Sequence, residues 1–295
     1  MLALATVPHE TIWGGEKLLP YTEGNFKKVG HLYSLCCEKG LETKILNGRY
    51  KGRTFQAYFK ENKQKFGLGG YEEFPLIIAL VEAKDNLSIQ VHPDDVVAVR
   101  EEGAAYGKNE SWFFLEAPSS GNIYNGCRLN DVEEIRQRIE NGDCLSVVDT
   151  LSVKSGDYVY VEAGTLHALS AGAYLYEIEE NSPWTYRFYD FDRIDAFGKK
   201  RELHIEKALE ALKPDLKSKS MPLGKDAVEE RRYTIKKIQG EKSYENRSNT
   251  LECVTIIKGE CKVDDFRGST GNTIVLEPGE CLMGNLELAI MARPK

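Results

Sequence analysis

Leu87-Ser-Ile-Gln-Val-His-Pro-Asp-Asp95 is the stretch on which the reading of this chain turns. Gln90 and His92 are two apart, so on an extended strand their side chains leave on one face and can share an ion. Pro93 cannot donate to a ladder hydrogen bond and ends the strand straight after His92, which predicts an imidazole at a strand mouth. Further on, Gly107-Lys-Asn-Glu-Ser-Trp112 carries Glu110, and Val159-Tyr-Val-Glu-Ala-Gly-Thr-Leu-His167 ends in a second histidine after a tight turn of small residues. Two imidazoles, a carboxylate and an amide oxygen suit zinc, manganese or iron(II) and not a thiolate-held structural ion. The bland alternative is two ordinary hydrogen-bonded histidines among the five of the chain. The strand-ending proline and the small-residue turn favour the metal site.

Strand signals surround this stretch. Phe74–Val81, Leu87–His92, Trp112–Leu115, Tyr158–Glu162 and Tyr174–Ile178 are short, rich in branched and aromatic residues, and bounded by Gly, Pro, Asp or Asn. Many short strands at close spacing predict a mainly β fold of barrel or jelly-roll type. Helices are few. Val132, Ile135 and Ile139 make one stripe over Asp131–Ile139, with Asn130 as N-cap and Gly142 as stop; Ile205, Ala208, Leu209 and Leu212 make another, stopped by Pro214. The polar, proline-interrupted stretch 214–224 reads as a linker between an N-terminal domain, 1–213, and a C-terminal one, 225–295. Strand patterns resume at Tyr233–Ile238, Leu251–Ile257 and Thr273–Leu276, and Ile274-Val-Leu-Glu-Pro-Gly-Glu280 echoes Leu151-Ser-Val-Lys-Ser-Gly-Asp157, which hints at a duplicated barrel. No histidine follows His204, so the second barrel is expected to be metal-free, a scaffold or lid.

Composition bounds the function. With 295 residues, 41% hydrophobic and 29% charged, the chain reads as an ordinary globular protein with one large core or two moderate ones. Lys plus Arg is 39 against 46 for Asp plus Glu, a net charge of −7, which opposes general binding to nucleic acid or acidic membranes; an anionic ligand then needs a local positive site. The apolar start Met1–Val7 lacks a basic leader, and no apolar run reaches membrane-spanning length. The seven cysteines are odd in number and contain no Cys-x-x-Cys, the usage of a cytoplasmic protein with reduced thiols.

At these residues the chain resembles the type I mannose-6-phosphate isomerases of the zinc-dependent cupin superfamily. The resemblance runs from Ile12-Trp-Gly-Gly-Glu-Lys-Leu18 to about Leu212. It is carried by that segment, by Ser88–Asp95, Gly107–Trp112, Ala163-Gly-Thr-Leu-His-Ala168 and Thr185-Tyr-Arg-Phe-Tyr-Asp190, and more weakly by Arg201-Glu-Leu-His-Ile205. It implies two cupin-type jelly-roll barrels, one zinc per chain on Gln90, His92, Glu110 and His167, and interconversion of mannose 6-phosphate and fructose 6-phosphate. Glu177 and Arg187 then take substrate or catalytic roles. There are departures: Gly30-His-Leu-Tyr33 replaces a Gly-Glu-x-Trp segment, Ala79 stands where many members have lysine, Glu162 replaces a proline, and Glu179-Glu180 a glutamine pair. The missing lysine bears on substrate preference and rate.

The implied chemistry moves a proton between C1 and C2 through an enediol, which needs a base, and Glu177 is the candidate. Arg187 is expected to bind phosphate or stabilise enediolate charge, since an arginine on the cavity face of a barrel strand is costly to bury without an anion. Its bland alternative is an ion pair with Asp190 or Asp192. Lys108, just before Glu110, is a second candidate cation for substrate. Two other classes remain open: an iron(II) oxygen-activating protein built on the same two histidines and carboxylate, and a catalytically silent sugar-phosphate sensor.

Overall fold

The computed structural model of the chain describes residues 1–194 and 198–295. The described chain is mainly β, as expected, with strands pairing antiparallel in three sheets and short helices between them. It divides into two compact units, one of residues 10–16 and 81–222, the other of residues 1–9, 17–80 and 223–295.

The first unit holds every candidate metal ligand, and its five-stranded sheet shows why. Tyr186–Tyr189, Ile89–Val91, His167–Ala168, Asn122–Cys127 and Val148–Ser152 lie side by side in that order. Ile89, Val91, Leu166, Ala168, Tyr186 and Phe188 sink into one apolar cluster with Val97, Ile135, Val147 and Leu209. Those last four come from, or border, the helices Asp95–Glu102, Val132–Glu140, Cys144–Val147 and Ile205–Ala211. Residues between the buried ones face the other way. Register lines them up: Gln90 pairs with His167 on one side and with Arg187 on the other.

A second sheet runs Ser220–Pro222, Asp157–Val161, Glu110–Glu116, Ala173–Glu180, and is continued by the end of Leu76–Ala83. Within it Glu110 pairs with Val161 and Glu179, and Trp112 with Glu177, so these three acids share a face with the Trp112 indole.

In the other unit an eight-stranded sheet is built on the long strand Cys281–Pro294, flanked by Glu252–Val263 on one edge and by Tyr233–Ile238 and Glu241–Glu245 on the other. Leu2–Ala3 adds to its far edge through Thr273–Leu276, with Leu2 opposite Val275. Its core gathers Ala3, Ile238, Val254, Ile256, Leu276, Ala289 and Met291.

Three expectations change here. The segment 214–224 is not a bare linker: Ser220 pairs with Val159 and Met221 with Tyr158, and Ser218 donates its backbone N–H to Asn125 Oδ1 at 2.7 Å. The units change between Pro222 and Leu223, inside the expected boundary, but residues 225–295 do not stand alone, because residues 1–9 and 17–80 belong to their unit. The helix expected from Asn130 is capped one residue later: Asp131 accepts from Glu133 N–H and Glu134 N–H, so the helix is Val132–Glu140, and Val132 is exposed.

Candidate metal centre

Three ligand-bearing segments are drawn together by contacts next to the ligands. The chain turns at Pro93, and Asp94 caps the helix Asp95–Glu102 by accepting from Val97 N–H at 3.0 Å. Lys108 N–H donates to Pro93 O at 3.1 Å, which brings the start of Glu110–Glu116 against the end of the histidine strand. Only glycine fits at 107, since a Cβ there would lie 2.2 Å from Pro93 O. The turn before His167 is pinned twice: Gly164 N–H donates to His92 O at 2.9 Å, and Ala163 N–H to Asn109 Oδ1 at 2.8 Å.

The result is a buried cluster in which His92, Glu110 and His167 each offer one donor atom, all within 4.8 Å of one another. His92 Nε2 lies 3.1 Å from Glu110 Oε2, and His167 Nε2 lies 3.3 Å from Glu110 Oε1. Both imidazoles turn their other nitrogen to a backbone carbonyl, His92 Nδ1 to Trp184 O at 3.0 Å and His167 Nδ1 to Thr165 O at 2.8 Å. A carbonyl can only accept, so each Nδ1 carries the proton and each Nε2 presents its lone pair to the cluster, the tautomer that metal ligation requires. Gln90 completes the group, its amide 3.4 Å from His167 Nε2. Ser88 Oγ donates to Gln90 Oε1 at 3.1 Å; a half-turn of the amide would bring the oxygen to the cluster and leave the NH2 for the hydroxyl, which can also accept.

Electrostatics agree with this. Burial alone would raise the Glu110 carboxyl, but His92 and His167 outweigh it and hold it down at about 2. Burial pushes His167 down to about 4 against the pull of Glu110. Around neutral pH the cluster thus holds an ionised Glu110 carboxylate and an uncharged His167 imidazole, ready for a divalent cation. The donor set, two imidazole nitrogens and a carboxylate within 4.8 Å of one another, fits such an ion.

The remaining candidates separate. Glu177 is buried, with its Oε1 accepting from Trp112 Nε1–H at 2.8 Å; burial first, then Glu179 and Glu110, raise its carboxyl well above the usual range, against Lys108 and the indole. Lys108 is not an open cation for substrate. Its Nζ is buried 2.7 Å from Glu179 Oε2, and Glu179, Glu110 and Glu177 together keep it charged against burial. Glu179 was not marked as a partner from the sequence, although Glu177-Ile-Glu179 places both acids on one strand face.

Arg187 has neither of its expected partners. Asp190 is held by Arg193 and Arg201, and Asp192 by Lys200 at 2.7 Å. Among the described residues the Arg187 guanidinium is in no ion pair, its Nε is buried without a hydrogen-bond partner, and burial followed by Arg201 lowers its affinity for the proton. It stands next to Gln90 on the ligand-bearing face. The register shifts between Arg187 and Tyr189, and Tyr189 packs toward the apolar cluster rather than beside Arg187.

A half-buried cation beside a buried two-histidine, one-carboxylate cluster on antiparallel sheets defines a β protein with a candidate metal centre. Residues 1–110 match the family model of the phosphomannose isomerase type I catalytic domain. The chain is 37% identical over 214 residues to GmuF of Bacillus subtilis, named a probable mannose-6-phosphate isomerase, covering 72% of this chain and 68% of that one. It is 36% identical over 213 residues to mannose-6-phosphate isomerase of Streptococcus mutans, covering 72% and 67%. The crystal structure of Bacillus subtilis mannose 6-phosphate isomerase superposes with a TM-score of 0.84 at 28% identity over 99% of both chains. The chain belongs to the type I phosphomannose isomerase family.

Proposed function

We propose that this chain is a zinc-dependent aldose–ketose isomerase that interconverts mannose 6-phosphate and fructose 6-phosphate, with one zinc per chain. The observation that carries the reading is the buried His92–Glu110–His167 cluster on the sheet face that also carries Arg187, a guanidinium in no ion pair among the described residues. His92, Glu110, His167 and Gln90 would hold the ion. Zinc there supplies Lewis acidity toward the two adjacent oxygens of the sugar without redox chemistry.

The chain's own residues do the rest. Arg187 supplies a fixed positive charge for the phosphate or for the negative charge that develops on the enediolate. Glu177 takes the proton from one of the two reacting carbons and returns it to the other. Its raised proton affinity makes it the stronger base of the local carboxylates, while Trp112 fixes one of its oxygens. Lys108 is read as a positioning residue that acts through Glu179 and Glu177. The bound aldose or ketose keeps its 6-phosphate throughout, so no co-reactant is needed. Seven unpaired cysteines fit a reducing compartment, and cytoplasmic activity on a small sugar phosphate, with no nucleic acid or membrane partner, is the accompanying reading.

The test is a coupled isomerase assay with metal analysis on purified full-length protein. Expected are about one zinc per chain and activity removed by a chelator and restored by zinc. Iron with oxygen uptake in place of isomerisation would overturn the reading, and so would tight sugar-phosphate binding with no turnover.

A further inference from the structure

The eight-stranded sheet carries a second polar mouth that the isomerase site does not use. On one of its faces Ile238 pairs with Ala289, and Ala289 with Ile256, all three inside the apolar core. The adjacent row is Lys236, Met291 and Val254. Beyond it Thr234 pairs with Arg293, whose guanidinium reaches Thr234 Oγ1 at 3.1 Å and Glu252 Oε1 at 3.6 Å. Residues at i and i+2 share a strand face, so Lys236, Arg293 and Glu252 stand on the core side, outward of the apolar rows. A cavity of about 560 Å³ opens there, within the range of small-molecule sites.

Its floor is built rather than incidental. Glu252 is only 3% exposed, and its Oε2 accepts from the Tyr244 hydroxyl at 2.9 Å. The charges do not balance. Glu245 is tied to Arg247 at 2.8 Å and Glu252 to Arg293, whereas Lys225, Lys236 and Lys237 line the cavity and form no ion pair among the described residues. Lys236 stands on the core-side face of the strand and Lys237 borders the cavity from the next position along it, and against these lysines stands one open acid, Glu241, in a chain of net charge −7. Gln239 and Ser243 add uncharged hydrogen-bonding groups to the wall. Among the described residues no cluster of potential metal ligands lies here.

We infer that this mouth is a second, metal-independent binding site for a small phosphorylated polyol, with the phosphate on the lysines and the hydroxyl groups on Glu252, Gln239 and Ser243. Three lysines select for a dianion, and a buried carboxylate beside amide and hydroxyl groups accepts hydroxyl donors that inorganic phosphate lacks.

The test uses the metal-loaded full chain, glucose 6-phosphate and inorganic phosphate as probes, and backbone-amide NMR shifts to locate binding. Saturable shifts over Tyr233–Ile238 and Glu241–Glu245 are expected with glucose 6-phosphate, at least about tenfold tighter than with inorganic phosphate. The pair Lys236→Ala and Lys237→Ala should weaken that binding by about tenfold or more, with the melting temperature and isomerase turnover of the parent. Should the double variant misfold, Lys225→Ala, an exposed position, must weaken it by itself. Absence of saturable shifts in these strands, equal affinity for inorganic phosphate, or unchanged affinity in the folded lysine variants each overturns the inference.

Discussion

At the scale of single residues, Arg187 is the position where chemistry and structure give opposite forecasts. Its neighbours Asp190 and Asp192 are taken by Arg193, Arg201 and Lys200, so removing the guanidinium breaks no ion pair among the described residues. Arg187→Ala is therefore expected to keep zinc occupancy and melting temperature while turnover falls by roughly two to three orders of magnitude. Arg187→Lys should recover only part, because an ammonium lacks the planar fork. Turnover within a few-fold of the parent would remove Arg187 from the site. His167 gives a second, pH-linked forecast. Burial holds its folded value at about 4 against 6.5 unfolded, so the folded state binds fewer protons. Its contribution to stability is full above 6.5 and is lost as pH falls through 4. Glu177, raised by burial, works in the opposite sense, so total stability is a poor readout. The imidazole signals of metal-free protein are the better one: His167 should stay neutral until about pH 4, and a midpoint near 6.5 would contradict its burial. The four ligand candidates were legible because each sits in a short local pattern. The pairing of Lys108 with Glu179 was not, because it depends on which strand lies beside Glu110.

At the scale of elements, alternation was the readable signal and irregularity the unreadable one. Ile89/Gln90/Val91 and Tyr186/Arg187/Phe188 follow the two-residue period, so their faces could be assigned before their partners were known. Cys281–Pro294 was missed although it is the spine of its sheet. Its Gly284 reads as a turn, but the glycine is there for close approach: a Cβ would lie 2.4 Å from Glu260 O on the adjacent strand. The helix Asp95–Glu102 was hidden by a proline that ends the preceding strand and leads straight into its cap. The same close-approach argument makes a prediction at Gly107. Its backbone angles do not require glycine, yet an added methyl must displace Pro93 O and Asp94, which hold the two ligand segments together. Gly107→Ala should lower the melting temperature by roughly 2 to 8 °C and weaken zinc binding. Gly70→Ala, which meets nothing within 4 Å, is the control. Equal zinc affinity in both variants would show that this contact does not set the site.

At the scale of the whole molecule, sequence reading divides the chain once, near 214–224, whereas the compact units join residues 1–9 and 17–80 to 223–295. Composition shifts mark 214–224, yet no local pattern reveals that Leu2–Ala3 completes a sheet otherwise made by residues beyond 227. That sheet edge is a contact across nearly the full chain length. Its consequence can be tested by ending the chain at Pro222. Every candidate metal ligand lies between residues 81 and 222 and survives the cut. What is lost is half of the other unit: Ala3 and the partly buried Leu46 lose the core they pack into, Tyr58 loses the carboxylate of Glu277 at 2.5 Å, and Phe66 O loses the Thr250 hydroxyl. Each large apolar side chain returned to water costs about 1.5–3 kcal/mol, and a domain has only about 5–15 kcal/mol to lose, so a handful of such exposures exceeds the margin. The fragment 1–222 is expected to elute as aggregate, to bind an apolar dye, and to hold little zinc despite an intact ligand set. A second fragment, residues 1–80 joined to 223–295 by a flexible linker, should gain ordered β signal that 223–295 alone does not show. A monodisperse 1–222 with the parent's zinc content and turnover would mean that the ligand-bearing unit needs none of residues 223–295.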